Sequence, residues 1–274
     1  MVDFEFREQY TMDDLRKIVA ILRHPGGCPW DAVQTHERLR RCLTDECCEV
    51  LEAIDRKDDT LLCEELGDVL LQVVFHASLA EDAGRFDLDA VADGICKKMI
   101  FRHPHVFGSA SAETAEEVLS NWDALKRAEK GIESDTDALR AVARTLPALW
   151  RAEKVLKKAA KAGFAWPDIS GAMDKLAEEQ EELRQAVAEH TNIREELGDV
   201  LFAAAAVARY AGIDPEQALQ EATDKYISRF ERVERSAAEQ GRSITSMRLD
   251  EMIQAWNNAK QELQQDTQED KNNE

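Results

Sequence analysis

Apolar positions recur with helical period along nearly the whole chain. Leu15, Ile18, Val19 and Leu22 fall three and four apart, which predicts an amphipathic helix over 12–23. His24-Pro25-Gly26-Gly27-Cys28-Pro29 breaks it. The same reading predicts helices over 37–56, 60–82, 88–102 and 113–130, then over 148–162, 171–189, 193–211, 214–240 and 247–264. Lys57-Asp58-Asp59, Ala83-Gly84-Arg85 and Gly163 mark turns. The polar, aperiodic stretch from Asp266 to Glu274 is expected to be disordered. The fold class expected is all-α. Residues 1–130 form an N-terminal unit, 131–147 a linker and 148–265 a C-terminal unit.

The pattern is carried twice. Glu64-Glu65-Leu66-Gly67-Asp68 leads into Val69-Leu70, and Glu195-Glu196-Leu197-Gly198-Asp199 leads into Val200-Leu201. On a helix Glu65 and Asp68 share a face, as do Glu196 and Asp199. Leu62 and Val69 flank Glu65, and Ile193 and Val200 flank Glu196, so these carboxylates run along an apolar seam. Such placement is costly unless a cation meets them. Mid-helix glycine costs about 1 kcal/mol relative to alanine. Its recurrence as Gly67 and Gly198 predicts a close backbone or ligand there.

A second acidic pair stands upstream of each copy: Glu46 and Glu49 after Asp45, and Glu179 and Glu182 after Glu178. Two facing helices then set four carboxylates around one point. Four clustered negative charges do not all stay ionised without cations. Hard oxygen ligands favour Mg²⁺, with Mn²⁺ as a substitute. The plain alternative is an acidic face in water, and the apolar flanks and the repetition argue against it. Further on, Lys98 and Arg102 match Lys225 and Arg229, and Trp122 and Lys126 match Trp256 and Lys260. Trp30 precedes the first unit and Trp166 the second. Acids that gather metal, bases that neutralise phosphate and an aromatic ring together suit a nucleotide.

Charge narrows the partners. The formal net charge is −20 over 274 residues, so the chain would repel a nucleic-acid backbone or an anionic membrane. No apolar run reaches membrane-spanning length, and the first residues lack the pattern of a signal peptide. The six cysteines lie in the first hundred residues without a Cys-x-x-Cys pair. They are expected to be reduced packing residues of a cytoplasmic protein rather than zinc ligands. No Gly-rich loop ending in Lys-Ser/Thr is present, which excludes a P-loop enzyme.

The run Glu-Glu-x-x-Glu followed by Glu-Glu-x-x-Asp resembles the hallmark of the all-α nucleoside triphosphate pyrophosphohydrolases. In order and context the chain is similar to two-repeat bacterial MazG proteins over nearly its whole length short of the tail. Gly27-Cys28-Pro29-Trp30-Asp31, Arg102-His103-Pro104-His105-Val106-Phe107 and the stretch from Lys225 to Glu234 support the match. The resemblance implies Mg²⁺-dependent hydrolysis of a nucleoside triphosphate to the monophosphate and pyrophosphate, by water attack at the α-phosphorus. It also implies a homodimer with bundle-like sites and a catalytic C-terminal repeat. On that basis Glu179, Glu182, Glu196 and Asp199 are the expected metal ligands. Lys175, Lys225, Arg229 and Lys260 are expected at the triphosphate, and Trp256 in the nucleotide pocket. Glu178 or Glu195 is expected to orient or deprotonate the water.

The N-terminal copy keeps the corresponding acids Glu46, Glu49, Glu65 and Asp68 as a second candidate site. It departs from the pattern in having Asp45 for the first Glu, with Cys47, Cys48 and Cys63 nearby. In the C-terminal copy Asn192 stands where a lysine is often found, with Arg194 as a substitute charge. Two rivals remain in view. A di-iron bundle needs Glu-x-x-His pairs, and no histidine here has a Glu three positions before it. A non-catalytic helical dimerisation or regulatory module would lose nothing but surface charge on Glu196→Ala.

Overall fold

Local capping fixes where several of the helices start. The computed structural model describes residues 4–109, 114–129 and 131–273. Helix α1 (Met12–Arg23) opens on a capping box: Thr11 Oγ1 accepts from the Asp14 amide, and the Asp14 carboxylate accepts from the Thr11 amide at 2.9 Å. Helix α2 (His36–Arg56) opens on Thr35 and ends at Lys57, which turns left-handed at φ 54°. Asp58 then accepts from the amides of Thr60 and Leu61 and starts α3 (Asp59–Asp82). Helices α4 (Leu88–Arg102), α5 (Pro104–Phe107) and α6 (Ala115–Glu129) follow.

One compact unit extends to Lys126 and a second begins at Arg127. In the first, α2 and α3 pack as a hairpin and α1 lies against α3. Val19, Leu39, Val74 and Phe75 form its core, with Leu15, Cys42, Leu71, Leu79 and Leu88 packed around them. A histidine pair ties the start of α2 to the middle of α3. The His36 and His76 rings are parallel, with their Nδ1 atoms 2.7 Å apart, and the Arg85 guanidinium donates to His36 Nε2 at 2.7 Å. That donation leaves the His36 proton on Nδ1, so His36 donates to His76.

The second unit begins with α7 (Asp135–Arg140), α8 (Ala148–Lys161), α9 (Ile169–Glu189) and α10 (Ile193–Ala211). Then come α11 (Pro215–Glu239) and α12 (Leu249–Asn273). Here α9 and α10 form the hairpin, α8 packs on α10, and α11 on α12. The buried positions of the hairpin include Ala172, Ala186, Ala203, Ala205 and Ala206, side chains small enough to let two helices lie close. Trp150 Nε1 donates to both carboxylate oxygens of Asp214, at 2.8 and 2.9 Å, and Asp214 in turn caps α11.

Several expectations change. The stretch read as a linker contains α7. The tail read as irregular continues α12 as helix to Asn273, since no Gly or Pro interrupts that run. All six cysteines are free, but Cys47, Cys48, Cys63 and Cys96 are exposed rather than packed. Nothing of the chain lies within 4 Å of a Cβ built on Gly67 or Gly198, so the expected close backbone is not there. Both glycines face open space beside exposed leucines, Leu66 and Leu197. No helix among the described residues is long and apolar enough to cross a membrane.

Candidate functional site

Each hairpin gathers carboxylates where its two helices face one another. In the C-terminal unit, carboxylate oxygens of Glu179, Glu196 and Asp199 lie within 4.8 Å of one another. Glu179 is buried at 6% exposure, and its Oε2 has no hydrogen-bond partner. A buried carboxylate oxygen with no donor is a costly arrangement, and an all-oxygen donor set of this kind fits a hard divalent cation. Glu182, expected as a fourth ligand, is exposed one turn further along α9 and lies outside that group of oxygens. Partial desolvation raises its carboxyl above the usual range, followed by the hydrogen bond it shares with Glu179.

Lys175 is the local counter-charge. Its Nζ donates to Glu178 at 2.9 Å and to Glu179 at 2.8 Å. Those two hydrogen bonds, Glu179 first, hold its own pKa above the ordinary lysine value. Glu178 is thereby tied to Lys175, while Arg194 and Glu195 are exposed in the first turn of α10. Asn192 adopts φ 42° just before them and makes no side-chain cap.

The other expected residues sit on the second helix pair. Lys225 and Arg229 belong to α11, and Trp256 and Lys260 to α12. The Arg229 guanidinium lies 5.7 Å from the centre of the Trp256 ring, and Tyr226 packs on that ring at 4.8 Å. Among the described residues no hydrogen bond or ion pair carries Lys225, Arg229 or Lys260 onto the carboxylates, whose recorded basic partner is Lys175. Tyr226 escaped the sequence reading. It stands beside Lys225, and only the α11–α12 packing brings it to Trp256.

The N-terminal hairpin repeats the acids under different electrostatics. Carboxylate oxygens of Glu46, Glu49 and Glu65 lie within 4.8 Å of one another. Burial pushes Glu46 above the usual carboxylate range, with the charges of Asp68 and Glu49 adding to it. Glu65 is pushed up by burial and then by Glu49. The position matching Lys175 is Cys42, so this cluster has no lysine from its own α2. It has Gln72 instead, buried at 7% exposure and hydrogen-bonded to Glu46. Gln72 lies four residues after Asp68 on one helix face, a spacing visible in the sequence but overlooked there. Arg102 stands 5.5 Å over Trp122, so the arginine-on-indole contact is repeated as well.

Comparison with known proteins agrees with this duplicated geometry. Residues 34–107 and 169–234, the two stretches that span the hairpins, match the MazG nucleotide pyrophosphohydrolase domain. The chain is 41% identical over 256 residues to the nucleoside triphosphate pyrophosphohydrolase of Escherichia coli K12, covering 92% of this chain and 97% of that one. It is 38% identical over 248 residues to the nucleoside triphosphate pyrophosphohydrolase/pyrophosphatase MazG of Thermotoga maritima, covering 90% and 95%. It is also 46% identical over 256 residues to the uncharacterized protein YabN of Bacillus subtilis, covering 92% of this chain and 52% of that one. With two matched domains over two acid-bearing hairpins, and the Escherichia coli and Thermotoga relatives aligned along nearly their full length, the chain belongs to the MazG nucleotide pyrophosphohydrolase family.

Proposed function

We propose that the protein is a Mg²⁺-dependent nucleoside triphosphate pyrophosphohydrolase whose working site is the α9–α10 hairpin. The observation that carries this is Glu179, buried with one oxygen unpartnered, set against Glu196 and Asp199 and steadied by Lys175. The activity for which the Escherichia coli and Thermotoga relatives are named supports the same reading. Glu179, Glu182, Glu196 and Asp199 hold the metal, with Mn²⁺ a substitute. When bound, the metal neutralises phosphate oxygens and lowers the pKa of a water.

The chain's own groups do the rest. Lys175 and, from the second helix pair, Lys225, Arg229 and Lys260 neutralise the triphosphate, and Arg194 stands at the rim. Trp256, held by Arg229, lines the nucleotide side. A water oxygen attacks the α-phosphorus, the bond to the bridging oxygen of the β-phosphate breaks, and pyrophosphate leaves. The proton of the water passes to Glu178 or Glu195. Glu195 accepts it more readily, because Glu178 is already occupied by Lys175. The Glu46, Glu49, Glu65 and Asp68 cluster is a second candidate metal site, with Cys42 in place of Lys175. The protein acts in the cytoplasm as a homodimer, with Leu66, Leu70, Leu197 and Leu201 among the exposed apolar residues available to a second copy.

The test is product analysis on a panel of ribo- and deoxyribonucleoside triphosphates with Mg²⁺. The wild type is compared with Glu196→Gln/Asp199→Asn and Glu65→Gln/Asp68→Asn. Monophosphate and pyrophosphate lost only in the first double variant are the expected outcome. Diphosphate and phosphate as products would mean attack at the γ-phosphorus and would refute the reading.

A further inference from the structure

Resting on the function proposed above, we infer that Trp166 is the stacking platform for the nucleobase and tilts the site towards purines. Two contacts fix Trp166 at the mouth of the hairpin, and a cap close by sets the start of α9. Its carbonyl accepts the Tyr210 hydroxyl at 2.6 Å, which ties it to the end of α10. Asp168 accepts from the Ser170 amide at 2.8 Å and sets the start of α9 two residues later. Its indole lies directly on Gly171: a Cβ there would sit 2.4 Å from Cδ1 and 2.6 Å from Cγ. Despite these restraints the residue stays 41% exposed. An aromatic ring held in place yet open to solvent is pre-organised for a flat partner.

The ring is also in register with the site. Gly171, Lys175, Glu178 and Glu182 form one stripe of α9, with Glu179 at its edge. At 1.5 Å per residue, Lys175 lies about 6 Å and Glu179 about 12 Å along the axis from Gly171. With the acids at Glu179, the exposed indole over Gly171 stands about two turns away on the same side of α9 as Lys175, within the length of a nucleoside triphosphate. Trp256 is the rival platform, but Arg229 and Tyr226 already lie against its ring. Stacking on an indole accepts any base and favours the larger two-ring ones.

Steady-state kinetics on ATP, GTP, CTP and UTP test this with Trp166→Ala, Trp166→Phe and Gly171→Ala. Inhibition by inorganic tripolyphosphate is measured alongside as a probe that has no base. Trp166→Ala is expected to raise KM about tenfold for ATP and GTP and less for CTP and UTP. Its kcat and its tripolyphosphate inhibition stay near wild type. Trp166→Phe recovers most of the loss. Gly171→Ala, whose methyl displaces the indole, behaves like Trp166→Ala although the tryptophan is still present. Equal weakening of tripolyphosphate would assign Trp166 a structural role and overturn the inference. So would an unchanged KM in Trp166→Ala. If Trp166→Ala does not fold, Trp166→Phe and Gly171→Ala decide by the same criteria. A wild type that neither cleaves nor binds any of the four nucleotides overturns the proposed function itself. A wild type that cleaves them indifferently to Trp166 overturns only this inference.

Discussion

Arg229 holds its guanidinium 5.7 Å over the Trp256 ring, joining α11 to α12 by a cation–π contact. The contact keeps a basic group and an aromatic face in fixed relation, and a lysine cannot reproduce it because an ammonium is compact and heavily hydrated. Arg229→Lys is therefore expected to lower kcat/KM about tenfold, equivalent to about 1.4 kcal/mol, while moving the thermal midpoint little. Pyrophosphate release and a melting curve on the same sample check both halves of this expectation.

Glu179 carries a second expectation. On the metal site proposed above, its buried unpartnered oxygen is expected to make Mg²⁺ a stabilising ligand of the folded state. At a hundredfold excess over its dissociation constant a cation adds about 2.7 kcal/mol. Glu179→Gln is expected to abolish that increment. Thermal unfolding of both proteins in EDTA and in Mg²⁺ measures it, and a full Mg²⁺ response in the variant would refute the assignment.

At the α11–α12 corner, Glu251 is pulled down to about 2 by hydrogen bonds from the Arg242 side chain and the Arg248 amide. Its ordinary value is 4.5, so the folded value lies below the unfolded one. The stabilisation is complete above pH 4.5 and is lost as the pH falls towards 2. Glu251→Gln should lower the melting temperature at pH 7 and should match the wild type near pH 2.

The histidine clasp predicts a separate pH response in the N-terminal unit. Burial, and then the neighbouring His36, hold the His76 pKa below its usual 6.5. The contribution to stability is present above pH 6.5 and is lost as the pH falls through the lower folded value. Protonating His76 would also set its Nδ1–H against that of His36, where the two Nδ1 atoms are now 2.7 Å apart. The register of the repeats places Val207 opposite His76. His76→Val is therefore expected to flatten the melting profile between pH 7 and pH 5.

Much of this was legible from residue order. The acids Glu46, Glu49, Glu65, Glu179 and Glu196 were found from i, i+3 spacing on apolar-flanked helices, and the geometry of a helix brings such residues together without further information. What escaped depends on tertiary packing. The indole of Trp166 over Gly171 and the ring of Tyr226 on Trp256 join residues whose spacing carries no period. At Gly67 and Gly198 the chain itself supplies no close backbone, because a helix glycine signals missing bulk without saying what fills the space. The end of α12 misled because polar composition resembles disorder even where every residue tolerates a helix.

Lys175 and Cys42 occupy one register in two hairpins that otherwise share their acids. The molecule thus contains its own reference experiment. A substitution in one hairpin can be read against the untouched one in the same polypeptide, at identical concentration and in identical buffer. Cys42→Lys would add the missing ammonium group to the N-terminal hairpin and show what that charge contributes to gathering a cation.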